Sequence, residues 1–501
     1  MFYKISVLQL GLTNLADTFA IHEGVKWLYE IDLNDDKLKY FDVLILNRNI
    51  NGDEKEKLFR LSKAYCVFVY GDFKLNDDTL WLLKSRVGKR LNKEELETLL
   101  KEDIIDYFGG SYGEKYVPND IGINDNFKGS IFFDGYNGVS LDGDYGNKFH
   151  QIVYWRTTIP VFKEQSIDLW LEYEKDDDVS IELSVTQFVS GSLSTIQNSW
   201  LFNEEDMKDV VYITNHSNDG PIFVSVLAKG KGKLKIVALH DRYSRRGKGL
   251  FLVGGERIVT KKREEAFFYF DPGDMKPPLN IYFSGYKTQE GFEGYNMLKK
   301  MGAPFLLISE SRLEGGAFYL GDEEYENKIV EKIKYYLDML GFTNKEMIMS
   351  GLSMGTFGAL YYACDLRPFS VVIGKPLCNL GDVASNERIN RPYSFPTSLD
   401  VLNKQYDSLD LDSINKLNRR FWDKFDSTDF DDTKFVVSYM IEDDYDCNAY
   451  NNLLAHINDD SIEVYGKGIH GRHNDNTYGI VSWFVAQYNN LINVYFDREF
   501  K

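Results

Sequence analysis

The chain has 501 residues, of which 43% are hydrophobic and 27% charged, a composition typical of a globular protein with buried cores. Its formal net charge of −19 argues against unaided binding to nucleic acid or to an anionic membrane, because phosphate groups would be repelled. Four scattered cysteines form no disulfide framework, and no apolar run approaches the ~20 residues that span a bilayer. The stretch from Met1 to Val7 lacks the basic region and long apolar core of a signal peptide, so we expect a cytoplasmic location.

Residues 1–118 alternate short apolar runs with helix-forming stretches, which predicts a small α/β domain. The predicted strands are Lys4–Leu10, Asp42–Leu46 and Ala64–Tyr70. The predicted helices are Leu15–Tyr29, Glu54–Lys63 and Asp78–Leu83. A single glycine, Gly11, follows the first strand, so we expect no phosphate-binding loop and no nucleotide cofactor here.

Residues 119–260 have a different pattern, in which apolar and polar residues alternate along short runs such as Ile167–Tyr173 and Val179–Val185. Turn formers such as the Gly-Lys-Gly stretch at 230–232 separate these runs. A period of two with regular turns predicts an antiparallel β-sandwich or jelly roll, a kind of domain that often binds carbohydrate. Core packing is the ordinary role of its aromatic residues, and the candidates for stacking on a sugar are Trp155, Trp170 and Tyr173.

Residues 261–501 return to strand–helix alternation, which predicts a parallel sheet covered by helices. The predicted strands are Leu279–Phe283, Phe305–Ser309, Glu346–Ser350, Phe369–Ile373, Phe435–Met440 and Ile462–Tyr465. The predicted helices are Phe292–Met301, Glu323–Leu340, Thr356–Cys364, Asn448–Ile457 and Thr477–Val494. The segment 385–430 is longer than a simple connection, and its helical part, Ser398–Phe425, is expected to cap the site.

The stretch Gly351-Leu352-Ser353-Met354-Gly355 joins a buried strand pattern to a helix pattern, which is typical of the nucleophile elbow of an α/β-hydrolase. We therefore predict Ser353 as the nucleophile. The stretch 109–113 also matches Gly-x-Ser-x-Gly, but a charged run precedes it and Pro118 follows it, so Ser111 is interpreted as a loop residue. The predicted fold class is α/β, with an α/β-hydrolase domain at residues 261–501 after the sandwich and the small α/β domain.

The histidine of such a site follows the serine and the acid in the chain. Three histidines follow Ser353, and His456 lies inside a predicted helix, where a structural role is expected. His470 and His473 share the loop after the last predicted strand, and position alone does not distinguish them. A metal pair in this loop has no third ligand at a convincing spacing, so no metal is expected.

The acid is expected in the loop after the predicted strand that ends at Met440. This loop holds four carboxylates, and one of them should orient the imidazole; they are Glu442, Asp443, Asp444 and Asp446. Asp446 is also placed to cap the next helix. For the oxyanion hole, one backbone N–H should come from Met354, and the other from Gly285 or Tyr286 after the first predicted hydrolase strand.

Five stretches of the chain resemble the second family of accessory secretory proteins, which belongs to the accessory Sec system of streptococci, staphylococci and lactobacilli. These stretches are 282–286, 315–321, 351–359, 374–381 and 471–477. The resemblance covers the full length and is strongest from about residue 279 to 480.

The resemblance implies an O-acetyltransferase that modifies N-acetylglucosamine on serine-rich-repeat adhesins before their export. It implies partnership with two other accessory secretory proteins and an accessory SecA motor, and hence a peripheral position at the membrane export site. Mapped onto this chain, it implies Ser353 as nucleophile, favours His473 over His470 and places the acid in 442–444. We take Asp443 as the acid by position, with Glu442 as the alternative, and neither a cofactor nor the acetyl donor is identified.

Two other functions use the same residues. A carbohydrate esterase would share the three catalytic side chains and pass the acetyl group to water. A scaffold without activity would bind only a glycosylated client and its partners. The absence of a signal peptide pattern argues against a secreted esterase, and the intact serine, acid loop and histidine argue against a pure scaffold.

Overall fold

The computed structural model describes residues 4–34, 40–192, 194–457, 459 and 461–498. Met1, Phe2 and Tyr3, on which the prediction about a signal peptide partly rests, lie outside the described residues. Within these ranges the chain is a mixed α/β protein with three sheets. None of the helices found there is both long enough and apolar enough to cross a membrane.

The first sheet has five parallel strands in the order β2-β1-β3-β4-β5. Its strands are β1 (Ile5–Gly11), β2 (Val25–Tyr29), β3 (Val43–Asn47), β4 (Val67–Tyr70) and β5 (Lys89–Leu91). Its helices are α1 (Gly52–Leu61), α2 (Asp77–Ser85) and α3 (Lys93–Lys101). Helix α1 begins where it does because Asn51 and Glu54 cap each other's backbone N–H groups, at 3.0 Å in both directions.

The predicted helix Leu15–Tyr29 is wrong. Only 15–17 form a short 3-10 turn, and Val25–Tyr29 form the parallel edge strand β2 instead. Valine, tryptophan and tyrosine favour strands, and pairing with β1 satisfies their backbone groups, so a long-range contact overrides the local helical pattern.

The second sheet has ten strands, and all of its pairings are antiparallel. Its strands are β6 (Gly113–Tyr116), β7 (Ile121–Ile123), β8 (Ser130–Asp134), β9 (Gly138–Trp155), β10 (Ile159–Val161), β11 (Ser166–Lys175), β12 (Val179–Phe188), β13 (Ile196–Phe202), β14 (Val211–Thr214) and β15 (Gly220–Tyr243). Strand β6 precedes the predicted boundary at residue 118, yet it pairs with β15 of this sheet.

One prediction for this region is wrong, and the expectation that its candidate aromatic residues pack in the core is confirmed. The predicted turn at 230–232 does not interrupt the chain, because β15 continues through it with local register shifts. Gly230, with a φ of +100°, lies at two of these register shifts and allows the bulge within one long strand. Trp155 and Trp170 are each 1% exposed and therefore cannot stack on a sugar, and Tyr173 packs against the core of the sheet.

The third sheet has eight strands in the order β16-β17-β19-β18-β20-β21-β22-β23. Its strands are β16 (Glu256–Val259), β17 (Glu265–Asp271), β18 (Leu279–Phe283), β19 (Phe305–Glu310), β20 (Met347–Leu352), β21 (Ser370–Gly374), β22 (Lys434–Met440) and β23 (Val464–Ile469). β17 is antiparallel to both of its neighbours, and all other pairs are parallel. The carboxyl ends of β18 and β20–β23 therefore meet at one edge, where a site can form.

The helices of this part are α4 (Tyr295–Met301), α5 (Glu323–Leu340), α6 (Met354–Leu366), α7 (Leu380–Ile389), α8 (Thr397–Tyr406), α9 (Leu411–Asp426), α10 (Ala449–His456) and α11 (Thr477–Phe496). Side chains of α5, α6 and α9 share one apolar core with the sheet, and those of α4 and α11 share another. The central strands β18, β20 and β21 are buried except for Leu352 at the end of β20, as expected for parallel strands covered on both faces.

Buried ion pairs join the three sheets. Arg86, which follows α2, lies 3.0 Å from Asp271 of β17. Arg242 of β15 lies 2.6 Å from Glu265 of β17 and 2.6 Å from Glu290, which follows β18. Because a buried charge is costly without its partner, separating the sheets would leave these groups unpaired.

Candidate functional site

Ser353 lies in a strained turn between β20 and α6. Its φ of 52° and ψ of −120° are rarely adopted by a residue with a side chain, and such strain is often found at functional sites. Gly351 and Gly355 allow the turn, since a Cβ on Gly355 would meet the carbonyl oxygen of Phe283 at 2.1 Å. The turn places Ser353 at the N-terminus of α6, where free backbone N–H groups favour negative charge.

Three predicted site residues lie in hydrogen-bond contact with one another. Ser353 Oγ is 2.8 Å from His473 Nε2, and His473 Nδ1 is 2.8 Å from Asp443 Oδ2. His473 follows β23 and Asp443 follows β22, so neighbouring parallel strands deliver them to the same edge. In this arrangement the imidazole can accept the serine proton while the carboxylate holds the ring and stabilises its charged form.

The imidazole of His473 is almost fully buried, with 1% of its residue exposed. Burial lowers the pKa of His473, and the hydrogen bond that its imidazole donates to Asp443 opposes that shift without overcoming it. The positive charge of Lys375, which follows β21, also lowers this pKa. A histidine with a lowered pKa is neutral near pH 7, which is the form that a general base requires.

The other predicted candidates of the acid and histidine loops have different partners. Glu442 accepts from Gly471 N at 2.6 Å and contacts His470 Nδ1 at 3.0 Å, and the His470 side chain is 86% exposed. Asp446 is buried and accepts from the N–H groups of Cys378 and Asn379 at 2.8 and 2.7 Å, so its side chain anchors the loop after β21 instead of capping α10.

The two remaining residues with predicted structural roles lie away from this constellation. His456, at the end of α10, contacts Asp426 Oδ1 at 2.6 Å and stacks on Trp422 with ring centroids 4.1 Å apart. Ser111 lies outside any helix or strand, and its N–H donates to the carbonyl of Phe251 at 2.9 Å.

We expect Asp443→Asn to slow hydrolysis of an activated acetyl ester by about 10³- to 10⁴-fold, because an amide at this position can stabilise the wrong imidazole tautomer. Glu442→Gln should change the rate by less than about tenfold, since its side chain contacts His470 and Gly471. Steady-state rates of both variants, with melting curves as the folding control, make the comparison. A larger loss with Glu442→Gln would move the acid to Glu442.

The backbone donors around Ser353 differ in availability. Met354 is the first residue of α6, so its N–H has no acceptor four residues back within the helix. The N–H of Gly285 donates to Glu293 Oε2 at 2.9 Å and is therefore occupied. The N–H of Tyr286 has no hydrogen bond to any described residue, so Met354 and Tyr286 are the better pair of donors for an oxyanion.

Two further residues contact His473, and sequence reasoning missed one of them. Asp444 Oδ1 accepts from the backbone N–H of His473 at 3.0 Å. The ring of Tyr445 lies against the imidazole, with centroids 4.2 Å apart and planes tilted by 34°. Phe395, from the segment between α7 and α8 and just before the predicted cap Ser398–Phe425, stacks on Tyr445 with ring centroids 5.4 Å apart. The acid-rich loop indicated Asp444, but no sequence signal indicated the aromatic stack.

Within the described ranges, atoms of Glu172, His240 and Glu265 that could bind a metal lie within 4.8 Å of one another. These residues belong to β11, β15 and β17 and not to the loops around Ser353. Both carboxylate oxygens of Glu265 already accept from Arg242, at 3.0 and 2.6 Å, and Arg257 contacts it too. Arginine side chains therefore already supply the positive charge that the Glu265 carboxylate would otherwise take from a metal ion.

The sheet order and the Ser353–His473–Asp443 constellation define a mixed α/β protein with a serine–histidine–carboxylate site, an arrangement used in acyl transfer. The chain belongs to the Accessory Sec system GspB-transporter family, whose profile matches residues 5–498. This finding confirms the resemblance seen in the sequence.

Accessory Sec system proteins are similar to the chain over nearly their whole length. The relative from Streptococcus gordonii is 34% identical over 99% of both chains, and the one from Staphylococcus aureus is 35% identical over 99% of this chain and 98% of its own. A chain of the solved Glycosylation Associate Protein (Gap123) complex from Streptococcus agalactiae is 35% identical over 99% of both chains, with a TM-score of 0.87.

Proposed function

We propose that this protein is a serine-dependent O-acetyltransferase that modifies N-acetylglucosamine on serine-rich-repeat glycoproteins and supports their export. The observation that carries the proposal is the continuous hydrogen-bonded chain from Ser353 Oγ through His473 to Asp443, with both links at 2.8 Å. Family membership and the glycosylation-associated complex of the S. agalactiae relative support the choice of a glycan acceptor.

The proposed reaction has two acyl transfers. His473 Nε2 takes the proton of Ser353 Oγ as this oxygen attacks the donor carbonyl carbon, and Met354 and Tyr286 donate N–H groups to the resulting oxyanion. Collapse expels the donor's leaving group, which receives the proton from His473, and leaves acetyl-Ser353. A sugar hydroxyl then gives its proton to His473, attacks the acetyl carbon and departs as the acetyl ester, while Ser353 regains its proton.

We propose an α/β-hydrolase fold for residues 261–501, preceded by the domains 1–118 and 119–260. Two observations support this assignment. Among the described strands of the third sheet, β17 alone is antiparallel to the others. The serine follows β20, the acid follows β22 and the histidine follows β23, which is the order along the chain in that fold.

The test supplies purified full-length protein with an activated acetyl ester and a peptide that carries N-acetylglucosamine, with Ser353→Ala as the control. Mass spectrometry should find O-acetylated sugar, formed in a Ser353-dependent way, in excess of free acetate. Release of acetate alone, together with loss of acetyl from a pre-acetylated peptide, would indicate a carbohydrate esterase. No turnover of either substrate would favour an inactive scaffold.

We also propose that the protein acts at the membrane export site together with other accessory secretory proteins and the accessory SecA motor. Within the second sheet, β8 pairs only with β9 among the described strands, and three consecutive large apolar residues of β8 are exposed. They are Ile131, Phe132 and Phe133, at 44%, 64% and 49% exposure. Such an open apolar edge favours pairing with a strand of another protein.

We expect Phe132→Ser to reduce co-purification of the other accessory secretory proteins while ester turnover stays at the wild-type rate. Tyr212→Ser is the matched control, because Tyr212 lies in the same sheet with the same 64% exposure. Pull-downs and export assays on both variants make the measurement. Equal co-purification with both variants would rule out the β8 edge as the contact, and lost turnover with Phe132→Ser would show that binding and chemistry are not separable.

A further inference from the structure

We infer that Arg391, in the segment between α7 and α8, is a positioning residue for His473. The inference rests on the proposed role of His473 as general base. Arg391 forms no hydrogen bond or ion pair with Ser353 or His473, but two separate sets of contacts connect its guanidinium to the imidazole. Neither the Gly-x-Ser-x-Gly turn nor the acid loop predicts it.

The first connection passes through Asp444. Arg391 Nε lies 3.1 Å from Asp444 Oδ2, and the other oxygen of this carboxylate, Oδ1, accepts from the backbone N–H of His473 at 3.0 Å. A carboxylate held at both oxygens has little freedom to rotate, and charge assistance strengthens both contacts. Arg391 therefore holds the Asp444 carboxylate in place, and this carboxylate in turn holds the backbone N–H of His473.

The second connection is a stack of planar groups. The guanidinium carbon of Arg391 lies 4.0 Å from the centre of the Tyr445 ring, and the centre of the His473 imidazole is 4.2 Å from that ring centre. Phe395 also packs on Tyr445, with planes 14° apart. A cation over an aromatic ring is attracted to it, and the planar guanidinium of arginine does this better than an ammonium group.

The charges around His473 determine what the loss of Arg391 should do. Asp443 faces Nδ1, Asp444 faces the backbone N–H, Lys375 approaches from the loop after β21, and Tyr445 covers one face of the ring. Asp446, the remaining carboxylate of the loop, is anchored to the segment after β21. Asp444 acts to raise the pKa of His473. Because Arg391 pairs with Asp444 at 3.1 Å, its positive charge should offset that influence.

These charges predict that Arg391→Gln and Asp444→Asn shift the pKa of His473 in opposite directions. Arg391→Gln leaves Asp444 without its counter-charge, so the pKa of His473 should rise. Asp444→Asn removes the negative charge but keeps an oxygen that can accept from His473 N, so the pKa of His473 should fall. Adding or removing one unit charge near His473 should shift its pKa by about half a pH unit. Arg391→Lys keeps the charge but not the planar stack.

The experiment measures the rate of Ser353 labelling by a fluorophosphonate probe against pH in the full-length protein. The rate rises with pH as His473 loses its proton, so the midpoint reports the pKa of His473. We expect an upward midpoint shift with Arg391→Gln, a downward shift with Asp444→Asn, and a wild-type midpoint with a lower plateau for Arg391→Lys. The plateau for Arg391→Gln should fall about tenfold, because the ring loses its fixed orientation.

Arg388→Gln is the matched control, because Arg388 is an exposed arginine on α7 that donates to the carbonyl of Leu409. It should leave both midpoint and plateau unchanged. A wild-type midpoint for Arg391→Gln, or the same shift with Arg388→Gln, would overturn the inference. If wild-type Ser353 is not labelled, the proposed nucleophile fails, and the pKa of His473 measured by NMR on histidine-labelled protein then decides the role of Arg391 separately.

Discussion

Ser353→Ala is expected to lower the rate of acetyl transfer by about 10⁴-fold or more, because no other atom occupies the position of the attacking oxygen. The change deletes one oxygen at a half-buried turn and opens no cavity, so the melting temperature should stay close to that of the wild type. Turnover of an activated acetyl ester and of the glycopeptide acceptor are the two measurements.

The chain provides a matched control for this variant. Ser111 also lies in a Gly-x-Ser-x-Gly stretch, but it is a loop residue whose N–H is bonded to Phe251. Ser111→Ala should therefore retain the wild-type rate. Equal losses in the two variants, or full activity of Ser353→Ala, would contradict the assignment of the nucleophile.

His473→Ala is expected to be as damaging as Ser353→Ala, because the serine hydroxyl is then left without a base and the members of such a site act as a unit. His470→Ala should change the rate by less than about tenfold, since the His470 side chain is exposed and contacts Glu442. Rates with the activated ester distinguish the two histidines.

Removal of a buried imidazole can also destabilise the protein, because Asp443 loses its partner at Oδ2. His473→Gln keeps a polar side chain of similar size, and it should be inactive while melting near the wild-type temperature. Asp443 also retains the N–H groups of Tyr445 and Asp446 at its other oxygen, which limits the cost. Severe loss only in the His470 variant would overturn the choice of His473.

The features that sequence predicts well are those encoded locally. The serine turn depends on glycines within two residues of Ser353, and buried parallel strands appear as short continuous apolar runs. The prediction for Leu15–Tyr29 is wrong because strand pairing with β1 overrides a local helical pattern. Gly230 of β15 marks a bulge and not a turn, and only the facing strand decides between these two uses of a glycine.

The surroundings of His473 depend on contacts between distant segments, so the sequence predicts them only in part. The loop 442–446 narrows the acid to a few carboxylates, but their directions depend on backbone geometry, which brings Asp443 to His473 and Glu442 to His470. Arg391 and Tyr445 are far apart in the chain and meet only because the segment between α7 and α8 lies against the loop after β22. No periodic pattern reports such a contact.

Detection of acetyl-Ser353 tests the central claim most directly. Full-length protein is mixed briefly with an activated acetyl donor and quenched in acid, and the peptide that contains Ser353 is analysed by mass spectrometry. We expect one acetyl group on Ser353, absent from Ser353→Ala and lost when the glycopeptide acceptor is added before the quench. Acetylated acceptor without acetyl-Ser353 at any time, or acetyl on another residue that passes it to the sugar, would contradict the account.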